Sequence, residues 1–329
     1  MKTIPLLEPL ASDMERVESK LREPVHLYPQ LTPILHSLLD SGGKRLRPAL
    51  ALLAGSIFDA DQDKLVALAA AVEMLHTATL VHDDLVDGAL VRRGSETLNA
   101  RWSTGATVLA GDYLFARAAA LAAETRHVRV MTIFAQTLMV ICSGELRQIF
   151  DRHYLPPLDS DEAWEQALAR YDERIYAKTA SLFSAATEAA AVLGSADEDQ
   201  IRALRDYGQL LGTGFQIIDD LLDFQGDEAT MGKPVGSDLR EGIVTLPVLY
   251  YLRENPDDQR VATVVGKGGD DALVAEVVAA IGGSEALTRA RERADGFVRR
   301  SQEALAALPE GEPRNRMVAL AEFAVSRRK

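Results

Sequence analysis

One cysteine, Cys142, in 329 residues excludes an intrachain disulfide and fits a reducing compartment. Aromatics make up only 6% and prolines number 13, helix formers dominate, and no run of alternating apolar and polar residues is long enough to argue a sheet. The composition predicts an all-α chain. Bases are scarce too: 36 Lys and Arg stand against 49 Asp and Glu, a net charge of −13, which disfavours a nucleic-acid footprint. An anionic substrate must then be met by metal or by a local group of bases. No apolar stretch reaches the roughly 20 residues of a membrane span; the best, Met131 to Cys142, is interrupted by Gln136. The N-terminus, MKTIPLLEPLASDMERVESK, lacks the charged-then-apolar order of a secretory signal. The expectation is a cytoplasmic protein that does not cross a membrane.

With 47% hydrophobic residues the chain can bury a large core. Glycine and proline punctuate helical patterns at about 31–40, 48–58, 63–88, 99–122, 127–152, 161–193 and 198–226, followed by shorter ones. The Gly-, Pro- and Asp-rich stretches near 226–242 and 255–271 are short and lie between helical patterns, so a single domain over 1–329 is expected.

Against this apolar background stand two acid clusters of identical spacing: Asp83, Asp84 and Asp87 in HDDLVD, and Asp219, Asp220 and Asp223 in IIDDLLD. On helices, the first and last Asp of each cluster share a face, so four carboxylates are expected to point into one space. Carboxylates that close resist ionising together unless a cation compensates, and oxygen ligation suits Mg²⁺ bridging to phosphate. The pattern implies a metal-dependent handler of diphosphates. His76 lies seven residues before Asp83, nearly on the same stripe of an otherwise apolar helix. A solvated face could account for that stripe, but less well for the second cluster, which is surrounded by Phe215, Ile217, Ile218, Leu221, Leu222 and Phe224.

Bases stand where anions would need them: Lys44, Arg45 and Arg47 in SGGKRLRP, Arg92 and Arg93 in VRRG, and Lys233 in MGKPVG. Neighbouring glycines let backbone amides approach phosphate, and guanidinium forks grip it in bidentate fashion. Such clusters often serve only solubility, but Arg92 and Arg93 follow Asp87 closely enough to neighbour a metal site. Lys178 and Thr179 in YAKTASLF are a weaker signal. GKGG at 266–269 lacks the spacing of a nucleotide-binding loop, and clustered Cys and His for zinc are missing. His82 would point about 100° away from Asp83 on a helix, which favours packing over ligation.

GGKRLRP, HDDLVD followed by RRG, AKTASLF, GFQIIDDLLDF and GKPVGSDLREG occur in this order, and with them the chain resembles the trans-isoprenyl diphosphate synthase (polyprenyl synthetase) family. That resemblance implies a single-domain helical bundle around a deep central cavity, usually a homodimer, joining isopentenyl diphosphate head-to-tail to an allylic diphosphate. It implies that Asp83 and Asp87 bind two Mg²⁺ ions and Asp219 a third, supported by Asp84, Asp220 and Asp223. Arg92, Lys178, Thr179, Gln216 and Lys233 would hold the allylic diphosphate. Lys44, Arg47, His76 and Arg93 would hold that of isopentenyl diphosphate. One departure is Ile243 in GIVTLP, where family members often carry Lys.

In the family, a bulky aromatic five residues before the first acid cluster closes the cavity; here that residue is Ala78. Five residues are about 7.5 Å of helix, which puts Ala78 beneath the reaction centre and predicts a long product of about C30 to C50. A hydrophobic product of that size carries the further expectation of transient membrane contact for its release. The alternatives are a shorter-chain farnesyl or geranylgeranyl synthase and the catalytic subunit of a heterodimeric synthase. A terpene cyclase is disfavoured because IIDDLLD is not a cyclase's second metal motif, and a non-catalytic subunit because the acids are all present.

Overall fold

The computed structural model describes residues 5–23, 28–40, 43–92, 94–225, 235–267 and 270–326. In chain order its helices are α1 (Ala11–Leu21), α2 (Leu31–Asp40), α3 (Leu46–Ser56), α4 (Gln62–Val86), α5 (Leu98–Arg101), α6 (Thr104–Glu124), α7 (Val128–Phe150), α8 (Asp161–Ile175), α9 (Ser181–Leu193), α10 (Glu198–Gln225), α11 (Ser237–Arg240), α12 (Leu246–Glu254), α13 (Gln259–Lys267), α14 (Asp271–Gly282), α15 (Ala286–Ala304) and α16 (Glu312–Val325). Among the described residues the strands are two dipeptides, Val91–Arg92 (β1) and Ser95–Glu96 (β2), paired antiparallel with Arg92 opposite Ser95. The all-α expectation holds, and the long helices fall where glycine and proline punctuate the sequence.

Two compact units emerge. One takes the described residues of Met1–Thr137, Leu182–Gly208 and Ala304–Leu320, the other those of Leu138–Ser181, Gln209–Glu303 and Ala321–Lys329. In the first, α4 packs along α6 and against α3 and α1. Its start is fixed by Asp61, whose carboxylate accepts from the backbone N–H groups of Asp63 and Lys64. From Leu65 to Leu75 every residue of α4 is buried, as a helix without a polar face requires. In the second unit α8 packs against α12, and α13 against α14.

The predicted helix over 161–193 contains an irregularity. Between α8 and α9 the backbone takes a π-turn over Tyr176–Ala180, and the Ser181 N–H donates to the Tyr176 carbonyl, five residues back. Such one-turn expansions of an α-helix are frequent at functional sites.

One expectation needs correction. By length and composition α4, α6 and α7 are each sufficient to cross a membrane. The sequence scan missed this because isolated polar residues break the linear runs, whereas on a helix they occupy a minor part of the surface. In α4, 78% of the apolar window is buried inside the protein, which makes it a core helix. In α6 and α7 the shares are 39% and 33%, and Leu109, Met139, Leu146 and Phe150 stand exposed.

Candidate active site

Both acid clusters sit at the C-terminal ends of their helices. Asp83 and Asp84 lie in the last turn of α4 and Asp87 is its C-cap, while Asp219, Asp220 and Asp223 lie in the last two turns of α10. The helix dipole presents partial negative charge at that end, so carboxylates there are disfavoured unless something cationic joins them. The same unfavourable placement, made twice, points to positive charge as the business of these residues.

Burial divides the six acids in a way their spacing does not announce. Asp84, Asp220 and Asp223 are buried, and Asp83, Asp87 and Asp219 are half-buried. The buried three hold protein partners. Asp84 Oδ1 accepts from Arg92 Nε at 2.6 Å, because the β1–β2 hairpin that follows α4 carries Arg92 back to it. Asp220 accepts from the Tyr171 hydroxyl and from Gln216 Nε2, both at 2.8 Å. Asp223 takes the backbone N–H and hydroxyl of Ser237 on one oxygen and the Asp238 N–H on the other, so it ties the first residues of α11. Burial, with the negative charge of Asp238, pushes the Asp220 carboxyl up to about 7 against the opposing pull of Gln216, Arg174 and Tyr171. Burial and Asp220 together hold the Tyr171 hydroxyl well above its usual range.

In the first unit, His76, Asp83 and Asp87 form the expected half-buried stripe on α4, flanked by buried Leu75, Thr77, Ala78 and Val81. His82 packs rather than joining them: its Nε2 lies 3.2 Å from the Val108 carbonyl and its ring 5.0 Å from that of Phe115. That packing needs Gly111, since a Cβ there would lie 2.2 Å from His82 Nε2. Ala78 has no exposed surface, so a larger residue there has to displace packed neighbours as well as narrow any space beyond them.

In the second unit, the π-turn brings Lys178 and Thr179 to opposite partners. Lys178 Nζ forms an ion pair with Glu145 Oε1 of α7 at 3.0 Å. The Thr179 hydroxyl donates to Gln216 Oε1 at 2.6 Å, which extends the chain of hydrogen bonds to Gln216, Asp220 and Tyr171. Gln216 thereby has both ends of its amide engaged.

The basic motif SGGKRLRP separates by role. Lys44 is exposed and Arg47 half-buried, its guanidinium 4.7 Å from the centre of the Phe183 ring. Arg45 is buried and belongs to the core: Nε donates to Glu18 at 2.6 Å, Nη1 to Glu73 at 2.9 Å and Nη2 to the Leu39 carbonyl at 2.9 Å. Arg93 and Lys233 lie outside the described residues. A cleft of about 600 Å³ opens elsewhere in the second unit, with Asp172, Tyr176, Gln209, Arg293, Phe297 and Arg300 in its wall. None of the residues expected to bind substrate lines it.

Residues 28–281 match the description Polyprenyl synthetase. The chain belongs to this family. It is 37% identical over 318 residues to the heptaprenyl diphosphate synthase component 2 of Geobacillus stearothermophilus, with 95% of each chain covered. It superposes on the crystal structure of a decaprenyl diphosphate synthase from Rhodobacter capsulatus with a TM-score of 0.88, 38% identity and 98% of both chains covered. A polyprenyl synthase from Caulobacter crescentus, crystallised with calcium and isoprenyl diphosphate, gives 0.86, 37%, and 98% and 97% coverage. The fold is the all-α isoprenoid synthase fold.

The family uses a divalent metal, and the donor set here fits one. Among the described residues no three His, Cys, Asp or Glu side chains converge as a ready-made metal site. A hard cation that takes one or two carboxylates and completes its shell with water and substrate phosphate requires none. Sequence reasoning missed Glu145, Tyr171 and Ser237. Tyr171 and Ser237 carry no motif, and Glu145, though the single acid of α7, has nothing in its neighbouring sequence that marks a lysine partner 33 residues on.

Proposed function

We propose that the chain is a Mg²⁺-dependent trans-prenyltransferase that condenses isopentenyl diphosphate head-to-tail onto an allylic diphosphate and builds a long-chain all-trans polyprenyl diphosphate, all of 1–329 acting as one polyprenyl synthetase domain. The observation that supports the site assignment is burial: Asp84, Asp220 and Asp223 are enclosed by the protein, whereas Asp83, Asp87 and Asp219 are half-buried and so accessible to three Mg²⁺ ions. When bound, the ions neutralise charge developing on the departing pyrophosphate. Asp84, Asp220 and Asp223 hold the ligating acids in place through the partners described above.

Arg92, Lys178, Thr179, Gln216 and Lys233 bind the allylic diphosphate, and Lys178 and Arg92 stabilise its oxygens as the carbon–oxygen bond breaks. Lys44, Arg47, His76 and Arg93 hold isopentenyl diphosphate so that its double bond meets the allylic carbon that has lost pyrophosphate. Apolar walls exclude the water that would otherwise quench the carbocation. Loss of a proton to the released pyrophosphate restores the alkene, so no side chain has to serve as a nucleophile. Ala78 leaves room for a long product.

A homodimer is part of the proposal. Met139, Leu146, Ile149 and Phe150 leave an apolar face exposed on α7, suited to a second copy and, during product release, to transient membrane contact. A cytoplasmic location is supported by the exposed, unpaired Cys142. The relative described as component 2 keeps a second arrangement in view, a catalytic subunit that needs a partner chain.

The test is incubation of the purified chain with Mg²⁺, farnesyl diphosphate and labelled isopentenyl diphosphate, with the products sized after dephosphorylation. Long-chain polyprenyl products from the chain alone, abolished in Asp83→Ala, are expected. Normal turnover by Asp83→Ala overturns the metal assignment, and activity that requires a second protein favours the heteromeric arrangement.

A further inference from the structure

We propose that Glu145 is a positioning residue that tethers Lys178 for its part in diphosphate departure; this rests on Lys178 binding the allylic diphosphate. Two backbones have to come close for the tether to exist. Gly144 makes that possible, because a Cβ there would lie 2.4 Å from the Ala177 Cβ. One residue beyond this contact on each segment stand Glu145 and Lys178, paired at 3.0 Å. Ala177 and Lys178 both lie within the π-turn, so the irregular backbone is what delivers the ammonium to α7.

The pair is sheltered, with side-chain exposures of 32% for Lys178 and 20% for Glu145, so it is less weakened by water than a fully exposed ion pair. The far carboxylate oxygen of Glu145 is itself approached by Gln148 Nε2 at 3.5 Å. A lysine has four flexible methylenes, and ordering it only when substrate arrives draws on binding free energy. Held on Glu145, Lys178 is ordered beforehand. Its neighbour Thr179 is fixed independently through Gln216. Positioning of this kind acts on the rate, because a small misplacement of a charge-stabilising group costs more in the transition state than in the ground state.

The experiment is a double-mutant cycle on the full chain, with turnover of farnesyl and isopentenyl diphosphates and melting temperature measured for Glu145→Ala, Glu145→Gln, Lys178→Ala and Glu145→Ala with Lys178→Ala. Glu145→Ala should lower kcat about tenfold or more while KM for the allylic substrate changes less. Glu145→Gln, whose amide oxygen still accepts from Nζ, should recover most of that loss. Once Lys178 is absent, removing Glu145 should have no further effect on kcat. Wild-type kcat in Glu145→Ala, a multiplicative loss in the double variant, or a rate loss that follows a fall in melting temperature would each overturn the tether. Full turnover by Lys178→Ala removes the role of Lys178 itself, and the proposal with it; impairment of Lys178→Ala alone leaves that role standing while the tether fails.

Discussion

Asp83 opens one acid cluster and Asp223 closes the other, equally spaced one, and their replacement should harm different properties. Asp223 is 1% exposed and its two oxygens receive three donors: the Ser237 N–H at 3.2 Å, the Ser237 hydroxyl at 2.7 Å and the Asp238 N–H at 3.1 Å. Hydrogen bonds to a charged group contribute about 1.5–3 kcal/mol each, and a buried donor left unpaired costs about 1–3 kcal/mol. The three share one carboxylate and do not add fully, so Asp223→Ala should cost about 3–5 kcal/mol. At ~2 °C per kcal/mol for a large chain, the melting temperature should fall by roughly 6–10 °C. Asp83 is only half-buried and, as the proposed metal ligand, should change stability by about 1 kcal/mol at most when replaced by Ala. Its turnover should drop by about 10²-fold or more. Differential scanning fluorimetry without metal, set beside a radiometric prenyl-transfer assay, reads both quantities. Wild-type melting of Asp223→Ala, or an equal fall for both variants, would refute the division of the acids into anchors and ligands.

Other perturbations test the remaining assignments. Arg45→Met leaves the Glu73 carboxylate buried without its guanidinium and should destabilise by about 3–5 kcal/mol, with part recovered by adding Glu73→Leu; urea unfolding checks both. Gly111→Ala should drive His82 off its seat beside Asp83, lowering kcat while circular dichroism stays native; unchanged kinetics would deny the packing any role. Ala78→Phe should shorten the products and, because the site is fully buried, cost about 1–3 kcal/mol; an unchanged length distribution by chromatography removes Ala78 as a determinant.

How much of this was legible beforehand depended on the range of the interaction. The acid clusters stand out because four-residue spacing on an apolar helix is a local pattern, and the long helices because glycine and proline interrupt them. α1 escaped notice: eleven residues with only Met14, Val17 and Leu21 buried give a weak period. The family resemblance divides the aspartates into ligating and supporting ones, but the spacing itself gives no reason for that division, since adjacent residues differ through distant partners. Asp84 differs from Asp83 because a hairpin returns Arg92, and Asp220 from Asp219 because Tyr171 arrives from 49 positions away. Likewise Arg45 looks like Lys44 and Arg47 until Glu18 and Glu73 close on it from 27 and 28 residues away. The π-turn has no compositional mark at all.

That turn has a consequence for anyone who edits this gene. It holds one residue more than a regular helix needs, so a single-codon deletion within 176–180 would let α8 run straight into α9 with every hydrogen bond in ordinary register. The flanking helices would keep their mutual facing, because a π-turn of five residues covers nearly the rotation of an α-turn of four, and Lys178 alone would lose the expanded turn that carries it to Glu145. A screen for heat resistance could favour such a deletant, and it would select a sturdier rod whose lysine faces the wrong way.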